Sequence, residues 1–295
     1  MFFSPVSYHQ PVFRPPGEAN SVIIQATLGC SWNACSFCEM YTSKTFKVRN
    51  PAEVFADIQK LSQHNAGAKK IFLADGNAFV LSSKKLMALL DQINTSFGRI
   101  QRVSSYALPK DISNKSLSEL QELQSQGLKL LYIGIETGDD ELLKLINKSE
   151  TYNSTVDGIL KAQQAGIDTS IMILNGIGGK EYSEQHALNS AKIINEINPK
   201  FLSTLTLSLP YGLEHFQNKF KGNYQQQSIT ELYKELKLFI EKTKVDNVIY
   251  RSDHVSNNLI LKGILSKDND KLVSTIEKAI ANTSENQYPS APEVL

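Results

Sequence analysis

Residues 21–38 read Ser21-Val-Ile-Ile-Gln-Ala-Thr-Leu-Gly-Cys30-Ser-Trp-Asn-Ala-Cys35-Ser-Phe-Cys38, an apolar, β-branched run that leads into a loop carrying three cysteines. The run predicts a strand over 21–28. Four residues separate Cys30 from Cys35 and two separate Cys35 from Cys38, so one short loop can wrap one metal centre. The chain has 295 residues and no other cysteine. Thiols clustered this tightly argue for metal or redox chemistry, not a disulfide framework. Three thiolates can hold three irons of a [4Fe–4S] cube and leave the fourth iron open for chemistry. Structural zinc takes four protein ligands, and none of the five histidines stands at finger-like spacing from the cysteines. A zinc site and three incidental buried cysteines stay open as alternatives.

Beyond the loop the chain alternates. Apolar runs predict strands over 70–74, 102–108, 128–136, 168–174 and 201–209. Amphipathic patterns between them predict helices over 51–63, 82–93, 116–126, 154–165 and 183–197, with a helical segment near 139–147. Asn50 is placed to cap a helix that has Pro51 in its first turn. Gly127 and Gly166 stand as helix stops. Six strands joined through helices predict a parallel sheet with right-handed crossovers. The expected fold class is α/β, a partial (β/α)6 TIM-like barrel over residues 21–212. Ahead of it, Pro5, Pro11, Pro15 and Pro16 forbid a helix, so residues 1–20 read as an extended arm. After Tyr211-Gly212 the rhythm breaks. Helices are expected over 230–244 and 268–281 and a short strand over 247–251. Residues 213–295 thus form an α-rich C-terminal extension, with a loose tail from about 282.

Composition narrows the partners. Hydrophobic residues make up 41% and charged residues 21%, the balance of a globular protein. Lys plus Arg number 31 against 30 Asp plus Glu, which gives no net field for a nucleic-acid or membrane surface. No apolar run approaches the roughly 20 residues that span a bilayer, and Met-Phe-Phe-Ser-Pro lacks the pattern of a signal peptide. A cytoplasmic location is expected, with no membrane partner and no indication of nucleic acid. Lys44, Lys47 and Arg49 form a local basic run. It either offsets negative charge at the cysteine loop or is a solvated face.

A strand entering a three-cysteine loop, with Phe37 just before the last cysteine and β/α repeats behind it, resembles the radical S-adenosylmethionine (SAM) superfamily. The phrases Gly29-Cys-Ser-Trp-Asn-Ala-Cys-Ser-Phe-Cys-Glu-Met-Tyr41, Phe72-Leu-Ala-Asp-Gly-Asn77 and Arg251-Ser-Asp-His-Val-Ser-Asn257 loosely resemble its coproporphyrinogen III oxidase-like and methylthiotransferase/Elongator-type groups. The usual loop has three residues between its first two cysteines, so four is a variant spacing. The resemblance implies a barrel of the radical SAM type and one oxygen-sensitive [4Fe–4S] cluster on Cys30, Cys35 and Cys38. Its open iron would bind SAM and cleave it reductively to a 5′-deoxyadenosyl radical, which abstracts hydrogen from an unidentified substrate. A flavodoxin or ferredoxin-type reductant is implied as well. With no further cysteine, no auxiliary cluster is expected.

The resemblance also implies where SAM is held. Phe37 would lie by the adenine. Asp75, Gly76 and Asn77, after the second strand, would meet the amino group. Glu136, ending the fourth strand, would accept the ribose hydroxyls, and Asn175 and Gly176 would lie near the adenine. His254 is a candidate for substrate binding or proton transfer. The rival readings are a SAM- or tetrapyrrole-binding protein without radical turnover, and a zinc-stabilised binding module.

Overall fold

In the computed structural model, residues 4–284 and 286–289 are described, and they belong to two units. One takes Met1–Asn33, Cys38–Ile133 and Asp157–Thr169; the other takes Ala34–Phe37, Gly134–Val156 and Ser170–Leu295.

The first unit is built on β1 (Val22–Gln25), β2 (Lys70–Ala74), β3 (Arg102–Tyr106) and β4 (Leu128–Glu136) as far as Ile133, parallel and in chain order. In β2, Ile71, Phe72, Leu73 and Ala74 are all fully buried, as befits a strand covered on both faces. Helix α1 (Pro51–His64) starts where expected. The Asn50 side chain accepts from Ala52 N, Pro51 opens the first turn, and Val54, Ile58 and Leu61 form the buried stripe. After α2 (Ser83–Phe97) and α3 (Pro109–Ser113), α4 (Leu117–Ser125) begins in a reciprocal Ser116–Glu119 capping box. The described part of the N-terminal arm is fastened, and against the expectation of no helix it ends in a short 3₁₀ helix, Pro16–Glu18, with Pro16 in its first turn. Tyr8 Oη donates to Ile23 O, and Gln25 exchanges hydrogen bonds with the His9 backbone. The buried Glu18 accepts from Arg102 at 2.6 Å and from the Tyr132 hydroxyl at 2.8 Å.

The second unit contains the end of β4, α5 (Asp140–Leu145), β5 (Asp168–Asn175) from Ser170, α7 (Gly179–Ile197) and β6 (Phe201–Thr206). Helix α6 (Tyr152–Gln164) divides between the units. Strands β5 and β6 are parallel, with Ile173 opposite Thr204. Then come α8 (Gly212–Lys219), α9 (Ile229–Lys242), β7 (Ile249–Ser252), β8 (Leu261–Ile264) and α10 (Leu265–Ala281).

Three details depart from the sequence pattern. The strand expected over 21–28 stops at Gln25. Ala26 N donates to Ala74 O while Ala26 O accepts from Arg49 N, and Thr27–Leu28 turns away to pair with Lys47–Val48. A two-residue antiparallel ribbon therefore closes the base of the cysteine loop. The third strand ends at Tyr106, because Pro109 opens α3 and holds Leu108 extended at φ −100°. Finally, the short strand expected over 247–251 is present as β7, and a second strand that the pattern did not suggest, β8, lies beyond it. β7 pairs parallel with β6, and β8 returns antiparallel to β7. The stretch expected to be a loose tail is tied down in part: Ile229 N donates to Gln287 O and Thr230 Oγ1 to Ser284 O. Residues 285 and 290–295 of that stretch lie outside the described residues. No helix among the described residues is long and apolar enough to cross a membrane.

Candidate functional site

The arms of the cysteine loop that lie in the first unit, with Cys30 and Cys38, are clasped by the turn after β2. Gly76 N donates to Gly29 O, and Gly76 sits so close that a Cβ there would come 2.5 Å from the Tyr41 ring and 3.0 Å from Cys30 Cβ. Only glycine fits. Asp75, fully buried, takes hydrogen bonds from Gln25 Nε2 at 3.1 Å, Gly29 N at 3.0 Å and Lys44 Nζ at 2.8 Å. Gly29 precedes Cys30 and Lys44 follows Cys38, so one carboxylate ties both arms of the loop. The Lys44 ammonium also donates to His9 O and Pro11 O, which fastens the arm to the same point.

The basic run is therefore not one patch. Lys44 is committed to Asp75. Arg49 is largely buried and paired with Asp57 at 2.8 Å, while Lys47 alone of the three is exposed.

The same turn distinguishes Asp75 from Asn77. The Asp75 oxygens serve the loop. Asn77 is fully buried, and its Nδ2 donates to Ser31 Oγ at 2.8 Å and to Asp111 Oδ2 at 2.6 Å. The carboxylate of Asp111 can only accept here, which orients the amide and turns Oδ1 the other way. Asn77 Oδ1 is buried and has no partner, and a buried acceptor in that state is costly until a donor reaches it. Tyr41, packed edge-on against Phe13, has its phenol pushed far above the ordinary value. Burial is the main cause, followed by Tyr106, Asp75, Cys38 and Cys30, so it remains neutral beside the thiols. All three cysteines are thiols, partly exposed. Among the described residues no group of three or more His, Cys, Asp or Glu side chains forms a metal site.

In the second unit, the segment Ala34–Phe37 is anchored through its backbone. Ser36 N donates to Ile146 O, Ser36 Oγ to Lys219 O, and Asn147 Nδ2 to Ala34 O. Phe37 packs on an apolar cluster that includes Leu142, Ile146, Leu207 and Phe216. Lys148 lies 5.8 Å from its ring centroid and pairs with Glu136 Oε1 at 2.9 Å. Phe37 and Glu136, 99 positions apart in the sequence (136 − 37), thus share one lysine. Glu136 has φ +66°, the left-handed region, at the last residue of β4. A non-glycine residue held there costs about 1–2 kcal/mol, a cost characteristic of functional positions.

Asn175 ends β5 and is buried, and its carbonyl accepts from Leu207 N. Gly176 follows at φ +83°, with both backbone groups engaged: N–H to Glu235 Oε1 at 2.7 Å, and C=O from the Tyr224 hydroxyl at 2.9 Å. Beyond β6 a cavity of about 180 Å³ is lined by Leu207, Leu209, Leu213 and Gln226, with the Ser208 hydroxyl buried and without a partner. His254 accepts from Ser256 N at Nδ1, which leaves the proton of its neutral ring on Nε2. Burial pulls its pKa below the ordinary value, partly offset by Asp253. Ser256 and Asn257 bind the backbone and side chain of Thr206, so this segment is tethered to the end of β6.

Sequence reasoning missed Lys148, Ser208 and Glu235. Only Glu235 left a trace. It is an acidic residue on the stripe formed by Leu232, Leu236 and Phe239, where an apolar side chain is the rule.

Residues 24–192 match the profile of the Radical SAM superfamily, more than half of the chain. A heme chaperone, HemW of Bacillus subtilis, is 24% identical over 166 residues, 53% of this chain and 43% of that protein. A putative methylthiotransferase of Methanocaldococcus jannaschii is 24% identical over 155 residues, 50% of this chain and 33% of the relative. The chain spans less than half the length of either. Among solved structures, the coproporphyrinogen III oxidase of Escherichia coli superposes with a TM-score of 0.57 at 19% identity, over 76% of this chain and 52% of that one. That likeness is one of fold: parallel strands in β/α repeats.

Proposed function

The chain belongs to the radical SAM superfamily, and on that premise we propose that it is an enzyme, an oxidoreductase or a transferase, that uses one [4Fe–4S] cluster and SAM to abstract hydrogen from its substrate. The observation that carries this reading is the three-thiol loop inside the matched stretch, held at both arms by Asp75. When bound, the cluster supplies the electron that splits SAM into methionine and a 5′-deoxyadenosyl radical.

The residues present fit these groups. Cys30, Cys35 and Cys38 offer three soft thiolate donors and no fourth, the set that leaves one iron open. Asn77 Oδ1 is the unpaired buried acceptor suited to the SAM ammonium, while Asp75 and Gly76 shape the turn that presents it. Glu136 offers a carboxylate to both ribose hydroxyls, and Lys148 holds it in place until they arrive. Phe37 supplies apolar contact for the adenine, and the Asn175-Gly176 turn its backbone wall. His254, with its proton on Nε2, is the candidate to meet substrate. A flavodoxin or ferredoxin-type reductant, a cytoplasmic location and sensitivity to oxygen complete the reading.

Anaerobic reconstitution with iron and sulfide, followed by dithionite and SAM, tests it; 5′-deoxyadenosine is the expected product. Stoichiometric zinc without iron would instead mark a zinc-stabilised module. The likeness to a heme chaperone favours one alternative, a tetrapyrrole-binding protein without turnover. It predicts heme binding, and a cluster whose spectrum responds to SAM without any deoxyadenosine.

Within the main reading, Glu136→Ala is expected to weaken SAM binding while cluster content stays intact. A charge-assisted hydrogen bond contributes about 1.5–3 kcal/mol, so the loss is roughly 10- to 100-fold in affinity. Unchanged affinity in equilibrium dialysis would remove Glu136 from the ribose.

A further inference from the structure

Among the described residues of the second unit, the most buried carboxylate lies outside the stretch that matches the family profile. Glu235, on α9, is 3% exposed, and three donors converge on it: Gly176 N at 2.7 Å, Ser183 Oγ at 2.7 Å and Gln227 Nε2 at 3.1 Å. Its Oε1 is also 3.8 Å from His186 Nε2. His186 is buried, its pKa lowered chiefly by that burial, and its Nδ1 meets Thr137 Oγ1 at 2.9 Å. Thr137 is the residue after Glu136. One carboxylate therefore holds the turn after β5 directly, and the histidine standing beside it is bonded to the residue after Glu136.

Several features make this more than a satisfied buried group. An acidic side chain buried on an apolar helical stripe is costly unless its oxygens are fully used, and here they hold a loop. Gly176 has its N–H bound by Glu235 and its C=O bound by Tyr224, both from the residues beyond 212. Its φ of +83° and the approach of Leu232 Cδ2, which would lie 2.7 Å from a Cβ, require glycine at this position. The chain segment that Glu235 holds, Asn175-Gly176, is one read above as a contact of the adenosyl half of SAM.

We infer that Glu235 is a positioning residue for the adenosyl half of SAM, so that the C-terminal region completes the cofactor site instead of merely following the barrel. The inference rests on the reading of Glu136 and the Asn175-Gly176 turn as SAM contacts. Glu235 acts by preorganisation: it fixes the turn before the ligand arrives and removes the ordering cost from binding.

Glu235→Ala in the full-length, reconstituted protein provides the test, because it removes the oxygen that accepts from Gly176 N–H. SAM affinity by equilibrium dialysis should fall at least about tenfold, the scale of one hydrogen bond to a charged group. Affinity for 5′-deoxyadenosine should fall by the same factor. Iron content should hold, and methionine should perturb the cluster's EPR signal at unchanged concentration. Tyr224→Phe, which removes only the hydroxyl on Gly176 O, should shift SAM and 5′-deoxyadenosine affinity in the same direction by a smaller factor, and it keeps the test alive should Glu235→Ala not fold. SAM affinity unchanged in both variants, or methionine weakened as much as SAM, overturns the inference when Glu136→Ala still weakens SAM. If Glu136→Ala also has no effect, the reading of the SAM contacts themselves has failed.

Discussion

Cys35→Ala is expected to abolish cluster assembly, with iron and sulfide after anaerobic reconstitution far below the roughly four of each that a [4Fe–4S] centre carries. The size of the effect follows from what surrounds the residue. The chain has only three cysteines, so no spare thiolate can replace the lost one. Rearrangement is blocked as well. Ala34 and Ser36, on either side of Cys35, are pinned by Asn147, Ile146 and Lys219. Because these bonds run through backbone and the Ser36 side chain, the variant should keep its circular dichroism and melting temperature close to those of the parent. Retention of about four iron and four sulfide per chain would refute the assignment of Cys35 as a ligand.

Asp75→Ala is expected to be the most destabilising single change in the first unit. Removing one partner of a buried ion pair leaves the other charge without compensation, at a cost of about 3–5 kcal/mol. Here the abandoned partner is the Lys44 ammonium, its side chain 8% exposed, and Gly29 N–H loses its acceptor at the same time. The loss appears as a lower urea midpoint at unchanged slope. Both arms of the cysteine loop are released together, so cluster yield should fall although no ligand has been touched. A loss under about 1 kcal/mol, the range of exposed pairs, would show that the carboxylate is not the clamp described.

The contrast between these two residues measures what was legible in the sequence. Cys35 declares itself, because thiols are rare and their spacing along the chain limits what they can wrap. The β/α order was equally legible. Periodicity of 3.6 or 2, Asn50 before Pro51, and Gly127 and Gly166 as helix stops are local signals, and local signals survive folding. The strand over 128–136 and the helix over 51–63 were accordingly found to within a residue. The break after Gln25 was not, because it depends on Ala26 finding Ala74 and Arg49.

The proposed cofactor contacts divide in the same way. Sequence alone determined that three thiols share one loop, and its resemblance to a family pointed to the turn after the second strand and the carboxylate ending the fourth. Only tertiary structure decided that Asp75 is spent on Lys44 and Gly29 while Asn77 keeps an open acceptor, that Glu136 shares Lys148 with Phe37, and that Glu235 binds a glycine 59 positions away. The physical reason is common to all of these. A polar side chain's chemistry is set by which donors reach it once water is excluded, and packing between distant segments selects those donors.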